Sequence, residues 1–87
     1  MAGMRDIAYS RAALRVLDRM PANVAARIRA KIEQYAADPE SLANNVKALQ
    51  NAEAGFRLRV GDWRILFDEA GNVIAVIKIA PRGGAYE

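Results

Sequence analysis

The spacing of apolar positions changes between the two halves of the chain, and the change predicts two kinds of structure. Residues 5–9 alternate, with Ile7 and Tyr9 on one side, which predicts a short strand. Ser10 is a suitable N-cap for a helix over residues 11–19. Leu14, Val16 and Leu17 form its apolar stripe, and Pro21 ends it. A second helix begins near Asn23. Val24, Ile28, Ile32 and Tyr35 recur at i, i+4, i+8 and i+11, which is one helical face. It must stop by Asp38-Pro39, because the residue before a proline is pushed out of the helical region. The two segments predict an αα-hairpin with a shared apolar face. Residues 39–54 are polar, with Leu42, Val46 and Leu49 as anchors, and predict a loop with a helical turn.

From Phe56 the period becomes two. Phe56-Arg57-Leu58-Arg59-Val60 alternates strictly, and Gly61-Asp62 is a two-residue hairpin signal. Residues 63–67 follow as the next strand, and Ala70-Gly71-Asn72 marks another turn. Residues 73–80 are almost wholly apolar, interrupted by Lys78. That run suits a central strand covered on both faces. Pro81 ends it, and residues 82–87 form a short tail. The expected fold is α+β in two layers. An N-terminal strand and an αα-hairpin pack on a mainly antiparallel sheet of about four strands, in the order β-α-α-β-β-β.

Composition narrows the chemistry. At 87 residues the chain is expected to be one domain, spanning residues 1–87. It has no cysteine and no histidine, so a disulfide framework is excluded and the best ligands for zinc, iron and copper are missing. Ser-His and Cys-His nucleophilic catalysis are excluded with them. No metal or cofactor is expected. No apolar run approaches the ~20 residues of a membrane span, and the N-terminus lacks a signal-peptide core. A cytoplasmic protein without membrane contact is the expectation.

Thirteen cations stand against ten acidic residues, for a net charge of +3. That excess is too mild to argue for nucleic acid by itself. Ten of the thirteen are arginine, the residue suited to planar, bidentate contact with phosphate or carboxylate. Their placement therefore matters more than their number. With Gly61-Asp62 as the hairpin loop, Val60 pairs with Trp63 and Arg59 lies directly opposite Arg64. Arg57, Arg59 and Arg64 then share one face of the sheet, while Phe56, Leu58, Val60, Trp63, Ile65 and Phe67 share the other. Two arginines facing each other repel. The plain reading is solvated surface charge, compensated by Asp62 and Asp68. The functional reading is an anion site in which a phosphate sits between them.

Arg82 follows the last strand, and Tyr86 lies four residues on. Gly83-Gly84 allows the tail to fold back. The second hairpin loop holds two, three or four residues, so the facing of Arg82 stays open. A cluster of arginines with one tyrosine cannot do imidazole chemistry. It can bind a phosphate and stabilise the charge of a phosphoryl transition state. Arginine, with a pKa above ~12, is a poor base, which leaves Tyr86 as the acid–base candidate. With RNA as substrate, the 2′-hydroxyl is a built-in nucleophile and no metal is required. The carboxylates are weaker candidates: Asp68 and Glu69 flank a turn, and Asp38 and Glu40 bracket Pro39. Trp63 is expected to pack in the core.

The second half, FRLRVGDWRILFDEAGNVIAVIKIAPRGGAYE, resembles the RelE/ParE superfamily of type II toxin–antitoxin toxins. The similarity lies in an aromatic-Arg strand, a Gly turn, an aromatic-Arg-hydrophobic strand, and a hydrophobic strand closing on Arg and Tyr. YSRAALRVLDRMP and ADPE in the first half are similar to the family's start and its second-helix exit. The resemblance implies a RelE-like fold and one of two activities. RelE-like members are ribosome-dependent endoribonucleases that cut mRNA; ParE-like members inhibit DNA gyrase without catalysis. Carried over, the RelE-like catalytic positions are Arg64, Arg82 and Tyr86, with Arg57 and Arg59 binding the RNA phosphates. All five hold a suitable residue, which favours the RelE-like branch. Some members carry Lys where Arg57 and Arg59 stand here, and Arg hardly loses a proton, so these two are expected to act as electrostatic clamps. The implied partners are a cognate antitoxin, the ribosome and mRNA, with operator DNA reached only through the antitoxin complex.

Overall fold

The computed structural model describes residues 4–50 and 54–81. Five strands form a single sheet: β1 (Asp6–Tyr9), β2 (Val46–Ala48), β3 (Phe56–Val60), β4 (Trp63–Ala70) and β5 (Val73–Pro81). Two helices, α1 (Arg11–Arg19) and α2 (Ala22–Ala37), separate β1 from the rest, and a 3-10 segment, Pro39–Asn45, leads into β2. The strand order is β1-β5-β4-β3-β2. β1 runs parallel to β5, and every other pair is antiparallel. Among the described residues, no helix is long and apolar enough to cross a membrane.

The local signals act as their chemistry requires. The Ser10 hydroxyl accepts the Ala13 N–H at 3.0 Å, capping α1, and donates to the Ile77 carbonyl at 2.6 Å. One side chain thus joins the start of α1 to β5. α2 ends at Ala37, immediately before Asp38-Pro39. Gly61 and Gly71 adopt φ of +58° and +59°, the left-handed region that glycine enters at little steric cost.

The helices cover one face of the sheet. Leu58, Ile65, Phe67, Ile74, Val76 and Ile79 from that face are buried against Ala13, Leu17, Ile28 and Ile32. Phe67 sits between two rings: Tyr35 meets it edge-on at 5.1 Å, and Phe56 stacks on it at 5.4 Å. Trp63 is half-buried against the same core.

Three features differ from the sequence expectation. The sheet has five strands rather than about four, because part of the segment read as a loop pairs along β3 as β2. Its three residues are too few to show a period. β4 runs on to Ala70, so Asp68 and Glu69, read as charges flanking a turn, lie within the strand and are half-buried. Asp68 accepts the Gly55 N–H at 2.6 Å. Glu69 pairs with Arg5 and accepts the Tyr35 hydroxyl at 2.9 Å. Finally, the second hairpin closes on two residues, Gly71-Asn72, one of the lengths left open, but an unexpected β-bulge then shifts the register. Phe67 faces Val76, but Leu66 faces Lys78, leaving Ile77 as the extra residue.

Candidate functional site

The face of the sheet away from the helices carries the cations. Arg59 lies directly opposite Arg64, as the hairpin register predicts, and Arg57 shares their face. Arg59 is exposed, while Arg57 and Arg64 are half-buried. The Arg64 guanidinium turns back over the hairpin, donating to the carbonyls of Gly61 and Trp63, both at 3.2 Å. The turn therefore holds the Arg64 guanidinium at the hairpin end of this face.

Two lysines that the sequence reading did not select join this face. Lys47 on β2 stands directly opposite Arg57. Lys78 on β5 stands opposite Leu66, which itself stands opposite Arg57. The signal for Lys78 was present as the one charge in an apolar run, but simple alternation assigns it to the core side with Val76 and Ile74. The bulge reverses that assignment. Lys47 gave no signal, because its strand was not recognised.

The charge on this face is graded. Among the described strand residues, the registers place five cations on it, Lys47, Arg57, Arg59, Arg64 and Lys78, and two carboxylates, Asp6 and Asp68. The cations gather toward the Gly61-Asp62 hairpin. Asp68 lies nearer the other end, bound to Gly55, and Asp6 lies on the β1 edge.

Beneath the cations is an apolar floor. Leu66 is 1% exposed, and Ala54 and Ala80 are buried with it, while Leu49 and Ile77 pack alongside. This face is therefore not wholly polar: alternation along residues 63–67 sets Leu66 beside Arg64, and the fold buries it there. An apolar floor limits water on one side of the cations, so their attraction for an anion is less screened than at a flat wet surface. The face can bind a polyanion and stabilise charge developing on a phosphate. Arg82 and Tyr86, the other two residues selected from the sequence, lie outside the described residues.

The remaining arginines of the helices have other surroundings. Arg29 lies over the Tyr9 ring at 5.1 Å. Burial pushes the Tyr9 phenol above its usual range, and the Arg29 charge opposes that shift. A pocket of about 260 Å³ opens between α2 and the hairpin, lined by Val24, Arg27, Ile28, Val60, Gly61, Asp62 and Trp63. It lies on the helix side, away from the cationic face.

Comparison with known proteins adds family to geometry. The model of the ParE toxin of type II toxin–antitoxin system, parDE, matches residues 7–86. No curated protein matches the chain. Among solved structures, it is similar to a chain of the archaeal RelE–RelB complex from Pyrococcus horikoshii, with TM-score 0.74 and 20% identity over 93% of this chain and 98% of that one. It is also similar to a chain of the RelB–RelE antitoxin–toxin complex from Methanococcus jannaschii, with TM-score 0.71 and 20% identity over 92% and 95%. A mutant of Escherichia coli toxin RelE in the free state gives TM-score 0.74 and 14% identity over 97% and 90%. At these identities the likeness is one of fold.

Proposed function

Given that the chain belongs to the ParE toxin family of type II toxin–antitoxin systems, we propose that it arrests growth by cutting mRNA on the ribosome. The observation that carries this reading is the directly facing pair Arg59 and Arg64, on the sheet face that points away from α1 and α2. Like charges opposed across a hairpin cost stability, and a phosphate between them removes that cost.

In the proposed reaction the RNA 2′-oxygen attacks the adjacent phosphorus. The 2′-hydroxyl proton leaves, the bond to the 5′-oxygen breaks, and that oxygen gains a proton. The products are a 2′,3′-cyclic phosphate and a free 5′-hydroxyl. Arg57 and Arg59 orient the backbone phosphates. Arg64 stabilises the charge on the scissile phosphate. Arg82 supports the leaving oxygen, and Tyr86 assists proton transfer or stacks on a base. The base role falls away from Arg57 and Arg59, since arginine keeps its proton. A cognate antitoxin neutralises the toxin; the RelE–RelB structures similar in fold are complexes of that kind. A cytoplasmic site of action fits this target.

The ParE description of the matching family model favours a second reading, non-catalytic inhibition of DNA gyrase. One experiment separates the two. The chain is induced without an antitoxin, and mRNA 5′ ends are mapped on translating ribosomes for the wild type, Arg64→Ala and Tyr86→Phe. New ends within codons in the wild type, reduced in both variants, are expected. Growth arrest without new ends, accompanied by loss of plasmid supercoiling, would move the function to gyrase.

A further inference from the structure

We propose that Lys78 and Lys47 extend the arginine site into a track for successive phosphates, so that a single RNA strand crosses the sheet roughly perpendicular to its β-strands. This rests on the reading of the open face as an RNA surface, and goes beyond it by adding two residues and a direction.

The strand registers align Lys47, Arg57, Leu66 and Lys78 in one row across β2, β3, β4 and β5. Three strand spacings separate its ends, ~14 Å at the usual distance between neighbouring strands. One phosphate group cannot bridge that distance, whereas a polynucleotide backbone presents a phosphate at every nucleotide. Leu66, the third member of the row, lies between Arg57 and Lys78 and is buried in the apolar floor. Arg59 and Arg64 form the next row toward the hairpin, alongside Ala80. The scissile phosphate sits at that inner pair, and the lysine row receives its neighbours.

The bulge is the strongest indication that Lys78 belongs to this surface. Regular alternation from Val76 would turn Lys78 toward the helices and into the core. Inserting Ile77 places Lys78 on the open face and returns Ile79 to the core opposite Ile65. A bulge that only relieved strand twist would not need a cation at this position. Bulges that re-aim a side chain recur beside functional sites.

The test uses the full chain and ribosomes programmed with a short mRNA carrying 2′-deoxy sugars in the decoding site, which prevents cleavage. Affinity is measured between about 50 and 200 mM salt. Lys78→Gln is expected to weaken binding about five- to tenfold and to lower the log–log salt slope by about 0.7, the value for one phosphate contact on a single strand. Lys47→Gln is expected to lower the slope by a similar amount, and Lys78→Arg to restore it. Lys31→Gln, on α2, is expected to leave the slope unchanged. Wild-type slopes in both Lys78→Gln and Lys47→Gln, with binding intact, would overturn the track while leaving the RNA reading in place. Failure of the wild type to bind programmed ribosomes would remove both. If Lys78→Gln does not fold, the Lys47→Gln slope decides.

Discussion

Arg59 and Arg64 face each other across the β3–β4 hairpin, and both project from the side of the sheet away from α1 and α2. Folding thus brings two like charges together instead of separating them. Removing one should help the fold and harm the function. Arg59 is the cleaner position to change, because Arg64 also bonds the turn carbonyls. Arg59→Thr is expected to raise stability by a few tenths of a kcal/mol, since it relieves cross-strand repulsion and suits a strand. Growth arrest on induction should weaken at the same time. Urea unfolding midpoints and growth curves of the same variant check both halves.

Leu66 is a second point where the open face departs from a simple polar surface. It is buried among Ala54 and Ala80 although it shares a face with three arginines. Leu66→Ala should cost about 2–4 kcal/mol, the usual range for truncating a buried leucine. A solvated position would cost far less, so denaturant titration separates the two cases directly.

Ser10 serves two elements with one hydroxyl. It accepts from Ala13 to cap α1 and donates to the carbonyl of Ile77, the bulged residue of β5. Ser10→Ala should destabilise the chain by about 1–2 kcal/mol, combining loss of the cap with an unpaired carbonyl. Ser10→Thr should recover much of this. Thermal unfolding of the three proteins gives the comparison. Amide exchange in β5 should accelerate in the alanine variant if the bulge loosens with the cap.

Tyr9 gives a pH prediction. Burial raises its folded pKa above the ordinary value of 10.0, with Arg29 acting in the opposite sense. The folded state therefore keeps the proton more tightly than the unfolded state. The resulting stability is fully present below pH 10.0 and is lost as pH rises from there through the folded pKa. Tyr9→Phe should flatten this alkaline decline relative to the wild type. Unfolding midpoints measured from pH 8 to about pH 11 are the readout, and parallel declines in both proteins would count against the assignment.

The legible parts of the fold were those written in short-range pattern. Ser10, Pro21 and Asp38-Pro39 delimit the two helices through local backbone chemistry. Gly61-Asp62 specifies a hairpin whose register follows from loop length, so the facing of Arg57, Arg59 and Arg64 could be deduced without coordinates. Glu69 was legible only as a charge near a turn. Its ion pair with Arg5 and its bond from Tyr35 join residues 64 and 34 positions apart in the chain. No local pattern carries such pairings.

The sequence by itself determined the two-layer plan and the arginine pair at the centre of the candidate site. Its alternation and turn residues act over a few positions, where geometry leaves little choice. Only the tertiary structure decided that β2 completes the sheet, that Leu66 lies on a buried floor, and that Lys78 joins the cationic face. β2 is a strand because β3 offers it hydrogen-bond partners, not because three residues specify one. Lys78 leaves the core because charge is costly to bury, and an extra residue at Ile77 lets both Lys78 and Ile79 reach suitable surroundings. Each outcome was settled by a neighbouring strand, which is why the local pattern did not contain it.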